Sequence, residues 1–97
     1  MPSFVLLVNF TDQGLAGATV GPERGRRVDE VAQRLGVKNT SWHMTMGPYD
    51  IVATYDAPDD ETMARFVLTI GSFGGAKTTT MRAFTRDEMA KLRPETP

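Results

Sequence analysis

Few side chains in this sequence are suited to acid–base chemistry. His43 is the only imidazole among the 97 residues and the side chain whose ordinary pKa lies nearest neutrality. Tyr49 and Asp50 follow Gly47-Pro48 in a turn, where a phenol and a carboxylate could bind a polar ligand or move a proton. The same residues have a structural interpretation: Gly47 takes a positive φ, Asp50 accepts hydrogen bonds from turn amides, and Tyr49 packs at a sheet edge.

A second group of candidates follows from the alternation of residues 40–46. It places His43 opposite Trp42 and Met44, on the sheet face without helices, and we expect Trp42 in the core. Arg82 and Thr80 of the last strand are predicted to point to the same open face as His43. A cavity lined by a histidine, an arginine and hydroxyls would suit a small anionic or phenolic ligand, but the two strands are opposite edges of the predicted sheet. Only a second subunit could bring these residues together, so a His43 to Arg82 contact across an oligomer interface is the alternative.

Composition excludes several classes of function. With 11 Lys and Arg against 12 Asp and Glu, the formal net charge of −1 offers no general attraction to nucleic acid or anionic lipid. One histidine and no cysteine leave too few donors for a zinc or iron site, so we expect no metal and no cofactor. The longest apolar run, residues 4–8, is far shorter than the roughly 20 residues of a membrane helix, and no leader precedes it. We therefore expect a soluble, cytoplasmic protein.

The elements that would position these side chains can be predicted from periodicity. Residues 3–10 alternate and are mostly apolar on both faces, as in a central strand. Helices are predicted from Pro22 to a stop at Gly36, and from an N-cap at Asp59 through residue 70. Residues 40–46 and 50–55 form a predicted hairpin, residues 77–84 form a fourth strand, and a capping box at Thr85 begins a short last helix.

This order predicts an α+β, ferredoxin-like βαββαβ domain: one four-stranded antiparallel sheet with the helices on one face, plus a short C-terminal helix. Residues 1–93 form the single domain, and residues 94–97 form a loose tail. The first strand carries Val5 and Leu7 to the face without helices, where they are costly to leave in water. A second copy of the chain is the expected cover, so we predict a homo-oligomer.

Five short blocks carry a resemblance to a known family. They are, in order, residues 10–14 (FTDQG), 46–50 (MGPYD), 57–61 (APDDE), 71–74 (GSFG) and 82–85 (RAFT). On these blocks the sequence resembles the GYD domain family of small bacterial proteins over nearly its whole length. The resemblance implies a ferredoxin-like fold related to the dimeric α/β barrels, and it implies no particular activity.

The function expected from these observations is the binding or sensing of a small organic ligand in a pocket at or near a subunit interface. The ligand contacts are predicted from His43, Tyr49, Asp50 and Arg82, with Asn9 as the polar residue on the outer face of the first strand. One alternative is a cofactor-free monooxygenase or isomerase on a dimeric α/β barrel, with His43 as the acid or base and Tyr49 or Arg82 stabilising an enolate-like charge. Another is a structural or assembly module that binds no ligand. Whether the protein is an enzyme is left open by the sequence.

Overall fold

The computed structural model describes residues 1–16 and 21–95, so residues 96 and 97 of the predicted tail lie outside the described part of the chain. The strands are β1 (Ser3–Phe10), β2 (Lys38–Met44), β3 (Ile51–Asp56) and β4 (Ala76–Ala83). The helices are α1 (Asp12–Ala16), α2 (Gly21–Leu35), α3 (Asp60–Gly71) and α4 (Arg86–Lys91). The strands form one antiparallel sheet in the order β2-β3-β1-β4, which confirms the predicted fold class.

The sheet has two different faces because side chains alternate along each strand. Phe4, Leu6 and Val8 of β1 are buried against the helices, together with Ile51, Ala53 and Tyr55 of β3. The intervening Val5 and Leu7 are only half-buried and point to the opposite face. We refer to this second side as the open face.

Helices α2 and α3 cover the inner face with apolar side chains spaced along one side of each helix. Val31 and Ala32 of α2 and Met63 and Phe66 of α3 belong to the same buried cluster as the inner residues of β1 and β3. The Phe66 ring lies 5.2 Å from that of Tyr55, a tilted aromatic contact at the centre of the core. Helix α3 begins as predicted, since Oδ1 of Asp59 accepts a hydrogen bond from the Thr62 N–H at 2.7 Å.

The prediction that Trp42 lies in the core is wrong. Trp42 pairs with the buried Ala53 and so belongs to the inner face, but 55% of its surface is exposed. The reason is that β2 is an edge strand that α2 covers only in part. The pairing of β2 with β3 also shifts register between Asn39 and Ser41. The strand runs from Lys38 to Met44, whereas the sequence predicted residues 40–46.

The predicted orientation of Arg82 and Thr80 is also wrong. Residues directly opposite each other in an antiparallel pair share a face of the sheet. Arg82 pairs with Phe4 and Thr80 pairs with Leu6, so both belong to the inner face rather than the open face. The alternation within β4 was predicted, but its assignment to a face depends on the register against β1, which the sequence of β4 does not contain.

Candidate functional site

The turn between β2 and β3 is a compact hydrogen-bonded unit. Gly47 has φ = +126°, a conformation that glycine adopts at little cost, as the structural interpretation requires. The Thr45 hydroxyl donates to the Tyr49 carbonyl at 2.6 Å, and the Thr45 N–H donates to the Asp50 carbonyl at 2.9 Å. Tyr49 is half-buried in this turn.

Asp50 joins the turn to the central strand. Its carboxylate Oδ2 accepts a hydrogen bond from the Phe10 N–H at 2.8 Å, and its own N–H donates to the Val8 carbonyl at 2.8 Å. The expectation that Asp50 accepts from turn amides is therefore wrong about the donor, which belongs to β1. This geometry gives the carboxylate a structural role, holding the start of β3 against the end of β1.

His43 and Asn9 lie on the open face. His43 is exposed and pairs with Val52, and Asn9 is half-buried and pairs with Lys77 at the end of β1. Both lie towards the same end of the sheet as Tyr49 and Asp50. Four of the five predicted ligand residues are thus brought to one end of the molecule.

Arg82 lies apart from the other four candidates. It is on the opposite edge strand, on the inner face, and at the other end of the sheet, beside the start of β1. Its guanidinium donates to the carbonyls of Ser3 and Ala83 and lies over the rings of Phe4, at 5.7 Å, and Phe84, at 4.4 Å. Arg82 and His43 therefore cannot line one site within a subunit.

A cavity of about 400 Å³ lies between the inner face of the sheet, the first half of α2 and the end of α3. Its floor includes Leu6, Val8 and Ile51, and none of the five predicted ligand residues lines it. Its polar lining includes Arg24, Asp29 and Tyr55, which we did not select from the sequence. The sequence did contain an indication of this site. Arg24 lies one helical turn before Val28, where the apolar stripe of α2 begins, so it places a charge on the same side of the helix.

Tyr55 is the residue of this cavity whose pKa is shifted. Only 5% of its surface is exposed, and burial, together with the negative charge of Asp29, raises the pKa of its phenol to about 12. Burial disfavours the phenolate because the charged form loses its hydration. Tyr55 is therefore a neutral hydroxyl at physiological pH, able to donate one hydrogen bond and accept others.

Within residues 1–16 and 21–95 no three His, Asp or Glu side chains are grouped so that they could hold a metal ion. None of the helices described there is long and apolar enough to cross a membrane.

This chain matches the model of a known protein family. The model of the GYD domain matches residues 4–92. The chain belongs to the GYD domain family. It is 36% identical over 95 residues to the glutamine synthetase and cystathionine beta-lyase binding protein of Thermus thermophilus, with 96% of this chain and 100% of that protein covered. The family resemblance inferred from the five sequence blocks is thereby confirmed.

Two crystal structures are similar in fold to this GYD domain. FFRP-DM1 superimposes with a TM-score of 0.57 at 16% identity, covering 87% of this chain and all of that one. TTHA0845 from Thermus thermophilus superimposes with a TM-score of 0.55 at 22% identity, covering 98% of this chain and all of that one. At these identities the likeness establishes the fold alone.

The contacts of Asp50 predict a loss of stability on its removal. Asp50→Ala leaves the Phe10 N–H without its charged acceptor, which should lower the free energy of unfolding by about 1.5–3 kcal/mol. Asp50→Asn keeps an acceptor oxygen and should lose less. Chemical denaturation measures both, with Glu30→Ala as the control because it removes an exposed carboxylate from α2. Equal stability of Asp50→Ala and Glu30→Ala would contradict the structural role.

The environment of Tyr55 predicts an unusual alkaline titration. In a Tyr49→Phe background, the phenolate absorbance of the folded protein should rise at about pH 12. Because the phenol is held neutral in the fold, its stabilising contribution is complete below pH ~10 and is lost as the pH rises through the folded pKa. Adding Tyr55→Phe should remove this loss. A folded protein whose Tyr55 ionises at the ordinary pKa of a tyrosine would contradict the assigned burial.

Proposed function

We propose that this GYD domain is a cytoplasmic bacterial binding protein rather than an enzyme, and that it works as a homo-oligomer. Its subunits associate through the open face, and the assembly binds a small organic ligand. The observation that carries this proposal is the apolar centre of the open face. Val5 and Leu7 of β1 lie directly beside Met81 of β4 and Val52 of β3, respectively.

A second copy of the chain suits this surface. The apolar centre spans three adjacent strands, and each of its side chains remains at least partly exposed in one subunit. Covering them removes apolar area from water, which is the main favourable term in subunit association. The open face has a planar area of roughly 450 Å², taking four strands ~4.8 Å apart and about seven residues at ~3.3 Å each. A standard interface buries about 800 Å² per partner, so further contacts are needed.

Helix α4 can supply those further contacts. It has only six residues, and none of its side chains is buried. Met89 and Leu92 are exposed, as is Phe84 just before the helix. A helix this short is unstable in water unless it packs against something, even with its Thr85 and Glu88 capping box. The same second copy is the partner that we propose for α4.

The geometry gives less support to an enzyme. The catalytic alternative loses one of its two charge-stabilising candidates, because Arg82 and His43 occupy opposite faces and opposite edges of the sheet. Ligand binding by Arg82 together with the other four candidates loses support for the same reason. His43, Asn9, Tyr49 and Asp50 stay candidates for contacts at or near the proposed interface.

A protein partner is a second part of the proposed function. The bacterial relative is named for binding glutamine synthetase and cystathionine beta-lyase, and we propose that this chain also binds a metabolic enzyme. The surface that favours this is the hairpin patch, defined as Trp42, Met44 and Met46. All three are exposed, Met46 almost completely. Tryptophan and methionine are enriched in protein interfaces, and β2 is an edge strand with free backbone groups.

Leu7→Lys tests the proposed subunit interface. A lysine in the centre of the open face would place a charge in the contact, so we expect a monomer that keeps its far-ultraviolet circular dichroism. Sedimentation velocity should show wild-type dimers or larger assemblies. Leu68→Lys is the control, since Leu68 is exposed on α3 and should leave the assembly unchanged. A monomeric wild-type protein at micromolar concentration would refute this interface.

The hairpin patch gives a separate prediction. The double variant Met44→Glu/Met46→Glu should weaken binding to the glutamine synthetase of the same organism at least about tenfold, which corresponds to ~1.4 kcal/mol. Biolayer interferometry measures the dissociation constants, and Leu68→Glu serves as the control with an added charge elsewhere. Absence of binding by the wild-type protein, or equal binding by the double variant and the control, would count against this partner site.

A further inference from the structure

The cavity beneath α2 has the size and lining of a small-molecule site. Its volume of about 400 Å³ lies within the range of ligand pockets, and its surface is mainly apolar. It lies inside one subunit, on the inner face of the sheet, so it is distinct from the proposed interface. Its charged residues, Arg24 and Asp29, lie on α2, and its other polar residues, Asn39, Tyr55 and Thr78, lie on the sheet.

The Tyr55 hydroxyl belongs to a buried residue but faces the cavity. The residue is only 5% exposed, yet among the described residues its hydroxyl makes no hydrogen bond. No fully enclosed side-chain oxygen or nitrogen of that part of the chain is left unsatisfied, so this hydroxyl opens onto the cavity. A hydroxyl that opens onto a cavity can form a hydrogen bond with a partner placed there. A ligand in the cavity would supply one.

Arg24 gives the other end of the cavity a positive charge. The hydrogen bond that it makes within the described residues runs from Nη1 to the Gly14 carbonyl at 3.2 Å. Its guanidinium lies against Gly75, where a Cβ would come within 2.8 Å of Cζ, so the absent side chain leaves room for it. One acceptor uses few of the five donors of a guanidinium. Within the described part of the chain the remaining donors are available to an anion, and the positive end of the α2 dipole lies on the same side.

Asp29 places a negative charge at the opposite end of the cavity. It lies five residues after Arg24 on α2, about 7.5 Å along the helix axis. It lines the cavity and is close enough for its charge to act on the Tyr55 hydroxyl. A carboxylate and a neutral phenol favour a hydrogen-bond donor rather than a second anion. The rest of the lining is mainly apolar and includes the rings of Phe10, Phe73 and Trp42, with Asn39 and Thr78 as further polar residues.

We propose that this cavity binds a small aromatic carboxylic acid that carries a hydroxyl or amino group at the end opposite the acid. The carboxylate pairs with Arg24, the ring packs on the apolar floor, and the opposite group hydrogen-bonds with Asp29 and Tyr55. The inference deepens the proposed ligand-binding role and rests on it, but it does not depend on the open face. It places the ligand inside the subunit rather than at or near the interface.

The test uses 3-(4-hydroxyphenyl)propionate as the probe. Trp42 is the only tryptophan and lines the cavity, so its fluorescence should report saturable binding of one probe per chain, checked by calorimetry. Two analogues dissect the contacts: the matching propionamide lacks the acid charge, and 3-phenylpropionate lacks the hydroxyl. We expect the amide to bind at least about tenfold more weakly and the phenyl analogue severalfold more weakly. Equal binding of acid and amide would overturn the role of Arg24.

Variants place the probe in the cavity. Arg24→Gln should weaken binding at least about tenfold, and Tyr55→Phe severalfold, whereas Arg26→Gln, an exposed arginine on the same helix, should bind as the wild type does. Of these variants, Gly25→Leu carries the smallest risk of unfolding the protein, because a Cβ at residue 25 meets no atom within 4 Å and leucine favours a helix. It should fill the cavity, block binding and leave the melting temperature at or above that of the wild type.

Failure of this site is distinguishable from failure of the proposed function. Binding that survives in a monomeric Leu7→Lys variant and is lost in Gly25→Leu supports the cavity whatever the oligomeric state. Binding that persists in Gly25→Leu and disappears in Leu7→Lys would move the ligand to the interface and overturn the cavity site. No saturable binding of the probe up to about 5 mM would overturn the cavity site as well, and would leave the enzyme-binding proposal untouched.

Discussion

The two-sided apolar character of β1 is the constraint on which the rest of the structure depends. β1 is a central strand, hydrogen-bonded to β3 on one side and β4 on the other, and it carries large apolar residues on both faces. α2 and α3 satisfy the inner face. Nothing in the described part of one chain covers Val5 and Leu7 to the same degree. The homo-oligomer proposal follows from this imbalance, because the outer residues of β1 gain from burial just as the inner ones do.

The end of the sheet where β1 meets the β2–β3 turn shows how structural and chemical roles compete for the same residues. A carboxylate that accepts a backbone N–H is held in place, and holding Asp50 in this way limits its freedom to serve a ligand. Among the described residues His43 makes no comparable hydrogen bond, and Asn9, two strands away on β1, offers an amide at the rim of the apolar centre. This end of the open face can therefore supply polar contacts to a neighbouring molecule, while the position of β3 stays fixed by Asp50.

Local patterns in the sequence predicted local structure well. The bounds of β1, the Asp59 cap and the Thr85 capping box follow from alternation and from side chains that satisfy nearby amides, so no distant residue is needed to predict them. The errors at Trp42 and Arg82 have a different origin. Both lie on edge strands, where alternation defines two faces but the register with a distant strand decides which face is which, and how far the helices extend to cover it.

The cavity could not be predicted from periodicity, because it arises from an interruption in the packing of one helix. The second half of α2 packs with Val31, Ala32 and Leu35, whereas its first half presents Arg24 and Gly25 to the same side. A larger residue at position 25 would improve helix propensity without a clash, because a Cβ there meets no atom within 4 Å. The chain instead combines a helix glycine, a charged residue and an accessible tyrosine hydroxyl around one space. Polar groups that converge on one largely apolar space are the pattern of a small-molecule site.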